Sequence, residues 1–297
     1  MAMSNQQKYK VTLAGFVITL AGALLFSTKA IIVKLAFKHT AMNALSLLTL
    51  RMLFALPFYL VAAWIAAKAK NTTPLTGRQW GVIVFLGLFG YYLSSLFDFV
   101  GLQYITAGLE RLILFLYPTF AILLNAFIFK QRVNRIQKIA LLLTYTGIAV
   151  AYVGELQLDM NNPDFLWGSF LIFLCSVTFA VYITGSGRII PQVGAGRFTA
   201  YAMLAATTGI FIHFALAGLM PAAGFSGIHW GYGLLLAIVA TVLPSFLISN
   251  GMKRIGSNNV AIISAIGPVS TSVQAYFILN EPLFMEQIAG TVLVIAG

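Results

Sequence analysis

The chain has 297 residues, of which 60% are hydrophobic and only 8% charged, with a mean hydropathy of +0.92. A soluble domain carries about 25% charged residues, so this chain has too few to clothe a core in water and must take the bilayer as its solvent. The net charge of +11 would suit nucleic acid, but the basic residues are spread through short connections between apolar runs and form no single patch, which excludes that partner.

The polar N-terminus, Met1 to Lys10, passes directly into an apolar run much longer than a signal-peptide core and reads as a retained first span. A helix needs about 20 mainly apolar residues to cross a membrane. By that measure the sequence predicts spans near 11–36, 42–67, 79–101, 107–129, 136–153, 165–187, 197–219, 229–251, 257–279 and 286–297. The runs are continuously apolar, whereas membrane β-strands alternate, so helices are expected. The last run would rise only about 18 Å, too little for a core about 30 Å thick, and reads as a span cut short.

The stretch from Trp80 to Gly147 recurs from Trp230 to Gly297 without a gap. Trp80-Gly81 meets Trp230-Gly231, Ser95 meets Ser245, Gly101 meets Gly251, Pro118 meets Pro268, Phe127-Ile128 meets Phe277-Ile278, and Gln137 meets Gln287. Self-similarity at a fixed offset in so apolar a chain points to a membrane protein built by duplication. The N-terminal tail and even-numbered connections hold Lys8, Lys10, Lys68, Lys70, Arg78, Lys130, Arg132, Arg135, Lys138, Arg188, Arg197, Lys253 and Arg254, while all seven acidic residues fall toward the other face. Positive loops stay inside, so both termini are expected in the cytoplasm. Five spans per half is an odd number, which turns the second half over. The fold class expected is therefore an all-α integral membrane protein of ten transmembrane helices in two inverted five-helix repeats. The first repeat covers 11–153, an external linker 154–164, and the second repeat 165–297. Asn71-Thr72-Thr73 matches a glycosylation acceptor but falls on the cytoplasmic side and is set aside.

No nucleotide-binding Gly-rich loop, His-Glu-x-x-His or Gly-x-Ser-x-Gly occurs, so no cofactor, metal or catalytic residue is expected and the chain does not read as an enzyme. The lone Cys175 excludes an internal disulfide and reads as packing. His39, His213 and His229 are too scattered for a metal site; for His213, packing competes with lining a cavity. Pro118 and Pro268 fall at equivalent mid-depths of spans four and nine. A proline there removes a backbone hydrogen bond, and bent backbone at that depth is tolerated only against protein or a wet cavity. Around that depth lie Tyr91, Tyr92, Ser95, Tyr117, Tyr182, Ser245, Ser264 and Ser272, which with the two prolines form the candidate substrate-binding set. Further polar residues of these spans are Ser94, Asn125, Ser176, Thr178, Ser249, Asn250, Ser270, Thr271 and Gln274. Interhelical hydrogen bonding is the competing role for each.

Lys29, Arg51, Asp98, Glu110 and Arg111 fall within or at the edge of spans, where charge is costly unless paired. All map to the outer half, which suggests a network gating the outer mouth, with Arg51 near Asp98 or Glu110. An ion pair that only holds helices together is the alternative. No carboxylate maps to mid-depth, which favours facilitated movement over strict proton antiport.

The two five-span halves, the proline in each fourth helix, and the Leu279-Asn280-Glu281-Pro282 run with its Gly-rich tail resemble the EamA-type branch of the drug/metabolite transporter superfamily, most of all the aromatic amino acid exporters of the YddG type. The first half departs from the family pattern, with Gln131 where the second has Glu281. The resemblance implies alternating access around a central cavity and export of small metabolites, amino acids among them, from a bacterial cytoplasm through the inner membrane. Its partners would be a small-molecule substrate and membrane lipid. A multidrug or nucleotide-sugar carrier, a channel and an integral membrane enzyme are the competing readings.

Overall fold

The computed structural model describes residues 12–68, 73–129, 135–158, 162–218 and 225–296, which form helices and turns with no strand among them. Helix α1 (Leu13–His39) starts where Thr12 Oγ1 accepts from Gly15 N at 3.2 Å, satisfying one of the amides a helix start leaves free. Helix α2 (Ala44–Lys68) follows. The next rod is composite: α3 (Gly77–Phe85), a π-helical stretch (Leu86–Leu93) and α4 (Ser94–Gly101). Thr76 and Gln79 close a reciprocal capping box at its start. Thr106 caps α5 (Ala107–Leu114), and after a turn at Phe115 and Leu116 the chain resumes as α6 (Tyr117–Phe129). Helix α7 (Arg135–Leu158) follows. Helices α8 (Phe165–Val193) and α9 (Ala195–Leu216) meet at Gly194, whose φ of 88° suits a residue without Cβ.

The remaining helices repeat the plan of the third and fourth rods. Helix α10 (Gly227–Ala237), a π-helical stretch (Ile238–Val242) and α11 (Leu243–Ile263) make one rod, interrupted at Gly256 (φ 80°, ψ 158°). A turn at Ser264 and Ala265 leads into α12 (Ile266–Gln274), a π-helical stretch (Ala275–Leu279), and finally α13 (Met285–Ala296). Shifted by the 150-position offset, Leu86–Leu93 falls on 236–243, over the second π-helical stretch, and the turn at Phe115 falls on Ala265. π-helical turns mark an extra residue in the hydrogen-bond ladder and often border functional sites. Here Thr241 Oγ1 donates to Leu236 O, five residues back, at 2.8 Å.

The prolines do not sit inside continuous helices as expected. Pro118 is the second residue of α6 and Pro268 the third of α12. In a first turn the missing N–H is not needed, so the bend is made by the turn just before each proline.

Among the described residues, eight helical stretches are long and apolar enough to cross a membrane: Leu13–His39, Ala44–Lys68, Gly77–Gly101, Ala107–Leu124, Phe165–Val193, Ala195–Leu216, Gly227–Gly256 and Asn259–Leu279. Helix α7, which opens with Arg135 and Lys138, and α13, with 12 residues, are not among them. They pack on each other, Gly290 lying against the backbone of Gly147 and Ala151.

Contacts fix how the rods alternate. Arg197 Nη1 donates to Thr73 O at 2.9 Å at one end. At the other, Asn162 Nδ2 donates to Tyr104 O at 2.9 Å, and His39 Nδ1 meets Tyr232 Oη at 2.6 Å. Close packing relies on small residues: Gly101 and Gly168 face each other so nearly that a Cβ on either would stand 3.0–3.2 Å from the other's carbonyl oxygen. The outside is apolar, with Phe58, Leu60, Val61, Trp64 and Ile65 of α2 exposed together. All four tryptophans, Trp64, Trp80, Trp167 and Trp230, lie near the ends of their helices, as expected of side chains that settle at the headgroup level.

Candidate functional site

A cavity of about 50 Å³ lies between the middles of α1, α8, the third rod and the rod containing α11, closed on one side by α5, α6 and the start of the ninth span. That is room for a few water molecules. Its walls are mostly aromatic and aliphatic: Phe26, Tyr91, Tyr117, Phe179 and Tyr182, with Leu114 and Ile248. The rings brace one another. Tyr182 stacks on Phe179 (centroids 6.0 Å apart), Tyr117 meets Phe179 edge-on at 5.1 Å, and Tyr91 meets Tyr182 edge-on at 5.7 Å. Such pairs prefer offset or edge contacts because the ring face is negative and its rim positive. The polar wall consists of Arg111, Ser245, Ser249 and Ser264.

Five residues of the expected substrate-binding set line this cavity: Tyr91, Tyr117, Tyr182, Ser245 and Ser264. The others are spent elsewhere. Tyr92 Oη bonds His213 Nδ1 at 2.8 Å, which also gives His213 a partner outside the cavity. Ser95 Oγ accepts from Arg51 Nη2 at 3.0 Å. Pro118, Pro268 and the buried Ser272 are not among the residues that line the cavity. Ser176 and Thr178 bond back to carbonyls of their own helix, while the Asn125 side chain lies outside the described residues. Even within the wall some hydroxyls are engaged. Ser245 Oγ donates to Val242 O at 2.8 Å and meets Tyr59 Oη at 3.0 Å, and Thr199 donates to Ser249 at 2.6 Å.

Two wall residues escape a search for polar side chains. Phe26 and Phe179 each sit three residues before a polar residue of interest, Lys29 and Tyr182, and so one turn along the same helix face. That spacing was the available signal.

The buried charges divide into groups. Lys29 Nζ lies 2.7 Å from Asp98 Oδ2 and 3.7 Å from Glu110 Oε1, tying α1, α4 and α5 together. All three side chains are at most 6% exposed. Arg51 does not join them, which corrects the expectation that it neighbours Asp98 or Glu110. Its guanidinium lies 4.8 Å from the Phe99 ring centroid and 5.7 Å from that of Tyr91, and it bonds Ser95. Lysine, with a compact ammonium on a flexible stem, reaches two carboxylates from one point, whereas the planar arginine fork lies along rings. Arg111 also leaves the group. It lines the cavity, 5.4 Å from the Phe26 centroid, while Lys29 stands 5.1 Å from the same centroid.

Cys175 is buried against Ser94, with Sγ and Oγ 3.2 Å apart, in keeping with a packing role. Glu281 has a use that sequence reasoning missed. Its carboxylate accepts from the backbone of Ala107 at 3.1 Å and of Gly108 at 3.4 Å, capping α5 from the other end of the chain. Gln131, its counterpart in the first half, lies outside the described residues.

The sequence profile of the EamA-like transporter family matches this chain twice, over residues 13–153 and 166–297. The uncharacterized transporter YcbK of Bacillus subtilis is 30% identical over 295 residues, covering 98% of this chain and 93% of its own. An uncharacterized transporter of Archaeoglobus fulgidus is 24% identical over 275 residues, 92% of each chain. A solved crystal structure superposes with a TM-score of 0.69 over 96% of this chain and 95% of its own, at 18% identity, a likeness of fold alone. With an apolar exterior, membrane-length helices and a small cavity at their middles, the chain belongs to the EamA-like transporter family and is a multi-pass membrane protein.

Proposed function

We propose that this transporter exports small metabolites, amino acids including aromatic ones, from the bacterial cytoplasm across the inner membrane by alternating access. The reading takes ten spans in two inverted five-helix repeats, 11–153 and 165–297, joined by an external linker at 154–164, with both termini in the cytoplasm. The observation that carries it is the mid-helix cavity walled by five aromatic rings, beside helix breaks at Phe115–Leu116 and Ser264–Ala265. Discontinuous helices at mid-depth are where secondary transporters bind their cargo. Aromatic walls suit an aromatic or apolar side chain. At about 50 Å³ the cavity is too small for such a solute, so transport in this scheme requires the cavity to widen.

Lys29, Asp98 and Glu110 form the outer gate in this scheme, joining α1, α4 and α5 on the acidic side of the cavity. Opening outward would separate α1 from the other two and break both ion pairs. A nucleotide-sugar carrier of the same superfamily is the second reading, and Arg111 in the cavity wall is what favours it. One cation is few for a diphosphate, so amino acids come first.

Counterflow in proteoliposomes tests the proposal. Vesicles loaded with unlabelled amino acids, nucleosides, sugars or nucleotide sugars are diluted into the labelled solute. Saturable uptake accelerated by an amino acid inside is expected. Acceleration by nucleotide sugars alone would transfer the assignment to the second reading, and unsaturable flux that ignores the far side would indicate a channel.

A further inference from the structure

We infer that Arg111 binds the transported solute through a carboxylate, so that the cargo is a monoanion at that group. The inference rests on the cavity being the transport site and deepens the substrate reading. Among the described residues the buried charges are Lys29, Arg51, Arg111, Asp98 and Glu110. Three cations face two carboxylates, a net charge of +1, and neither arginine has an ion pair among the described residues. Both carboxylates are taken by Lys29. Arg51 has Ser95 and two rings and does not line the cavity.

Arg111 has neither an ion pair nor a hydrogen-bonding side chain among the described residues. It is 6% exposed, its Nε is buried without a hydrogen-bond partner, and its guanidinium lies against the Phe26 ring. It also presses on the Gly267 backbone, where a Cβ would stand 2.5 Å from Nη2 and 2.8 Å from Nε. The absence of a side chain at that position lets the guanidinium reach the cavity wall. A buried cation without a partner costs several kcal/mol, a cost that an arriving anion relieves. Guanidinium donors match the two oxygens of a carboxylate in one plane, which a point charge cannot do. Beside Arg111 the wall carries the hydroxyls of Tyr117 and Ser264, and beyond them the rings of Tyr91, Phe179 and Tyr182. One end of the cavity therefore suits a carboxylate and the rest an apolar or aromatic body. A second negative charge would find no second free cation there.

The test compares headgroups on one body. Counterflow is measured for phenylalanine, phenylalaninamide, phenethylamine, 3-phenylpropionate and a phenyl phosphate, with wild type, Arg111→Gln and Arg111→Lys. Wild type is expected to prefer the two carboxylates to their neutral and cationic analogues by at least about thirtyfold in half-saturating concentration, the scale of a buried charge pair. In Arg111→Gln that preference should fall toward one. Arg111→Lys should fold with the charge retained and keep part of the preference, guarding against a variant lost to misfolding. Exchange of 3-phenylpropionate without phenylalanine would keep the carboxylate site while overturning the amino acid reading. Preference for the amide or amine in wild type would overturn the inference. So would an unchanged headgroup preference in both variants, or stronger exchange of the phosphate.

Discussion

Replacing Lys29 with Met removes the one ammonium that serves two buried carboxylates. At 2.7 Å from Asp98 and an effective dielectric of 20, Coulomb's law gives about 6 kcal/mol of attraction, and at 3.7 Å from Glu110 about 4 kcal/mol. Desolvation of three ions cancels most of this, and the net cost of breaking a buried pair by deleting one member is about 3–5 kcal/mol. Lys29→Met should therefore destabilise the protein severely. Asp98→Asn should cost less, because Glu110 still faces Lys29. The double variant should lose less than the sum of the two, by about 2 kcal/mol, since Asn beside Met leaves fewer stranded charges. The measurement is the unfolding midpoint in detergent at one fixed scan rate, since large membrane proteins often unfold irreversibly. It is paired with initial counterflow rates. If the losses from Lys29→Met and Asp98→Asn add without interaction, the ammonium is not sharing its charge as the geometry requires.

Arg51→Gln combined with Asp98→Asn should instead be nearly additive, because Arg51 bonds Ser95 and lies over Phe99 rather than beside a carboxylate; the same midpoints and rates decide this. Glu281→Ala should cost about 1–2 kcal/mol by freeing the amides of Ala107 and Gly108, and Glu281→Gln, which keeps an acceptor oxygen, should cost less. Gly90→Ala would set a Cβ 2.6 Å from Tyr182 Cβ. Overpacking of that kind costs about 1–3 kcal/mol, and it should displace the Tyr182 ring and raise the half-saturating concentration of an aromatic solute more than that of alanine.

The helices were legible because each physical rule that defines them acts along the chain. Span length and the 150-position repeat both come from local composition or from one segment copied. The repeat also pointed to paired bends, and turns stand just before both prolines, at Phe115–Leu116 and Ser264–Ala265. Their cause was misjudged, since a proline in a fresh first turn costs nothing and the chain breaks before it. The π-helical stretches at Leu86–Leu93 and Ile238–Val242 were not legible, because one extra residue in a helix leaves no mark on hydropathy. The site was read less well than the fold for a related reason. Which way a side chain faces in a bundle depends on helix rotation, and these helices are apolar all round, so no polar stripe fixes it. Glu110 and Arg111 are neighbours on α5, yet about 100° of helical turn sends one to Lys29 and the other into the cavity. Sequence grouped them as one network because both map to the outer half of the spans, and position along a span says nothing of which way a side chain faces. Tyr91 and Tyr92 divide in the same way, one into the cavity wall and one to His213. In both pairs the partner across the bundle decides the role: Lys29 on α1 and His213 on α9 draw one member away, and the member left without such a partner is the one that faces the cavity.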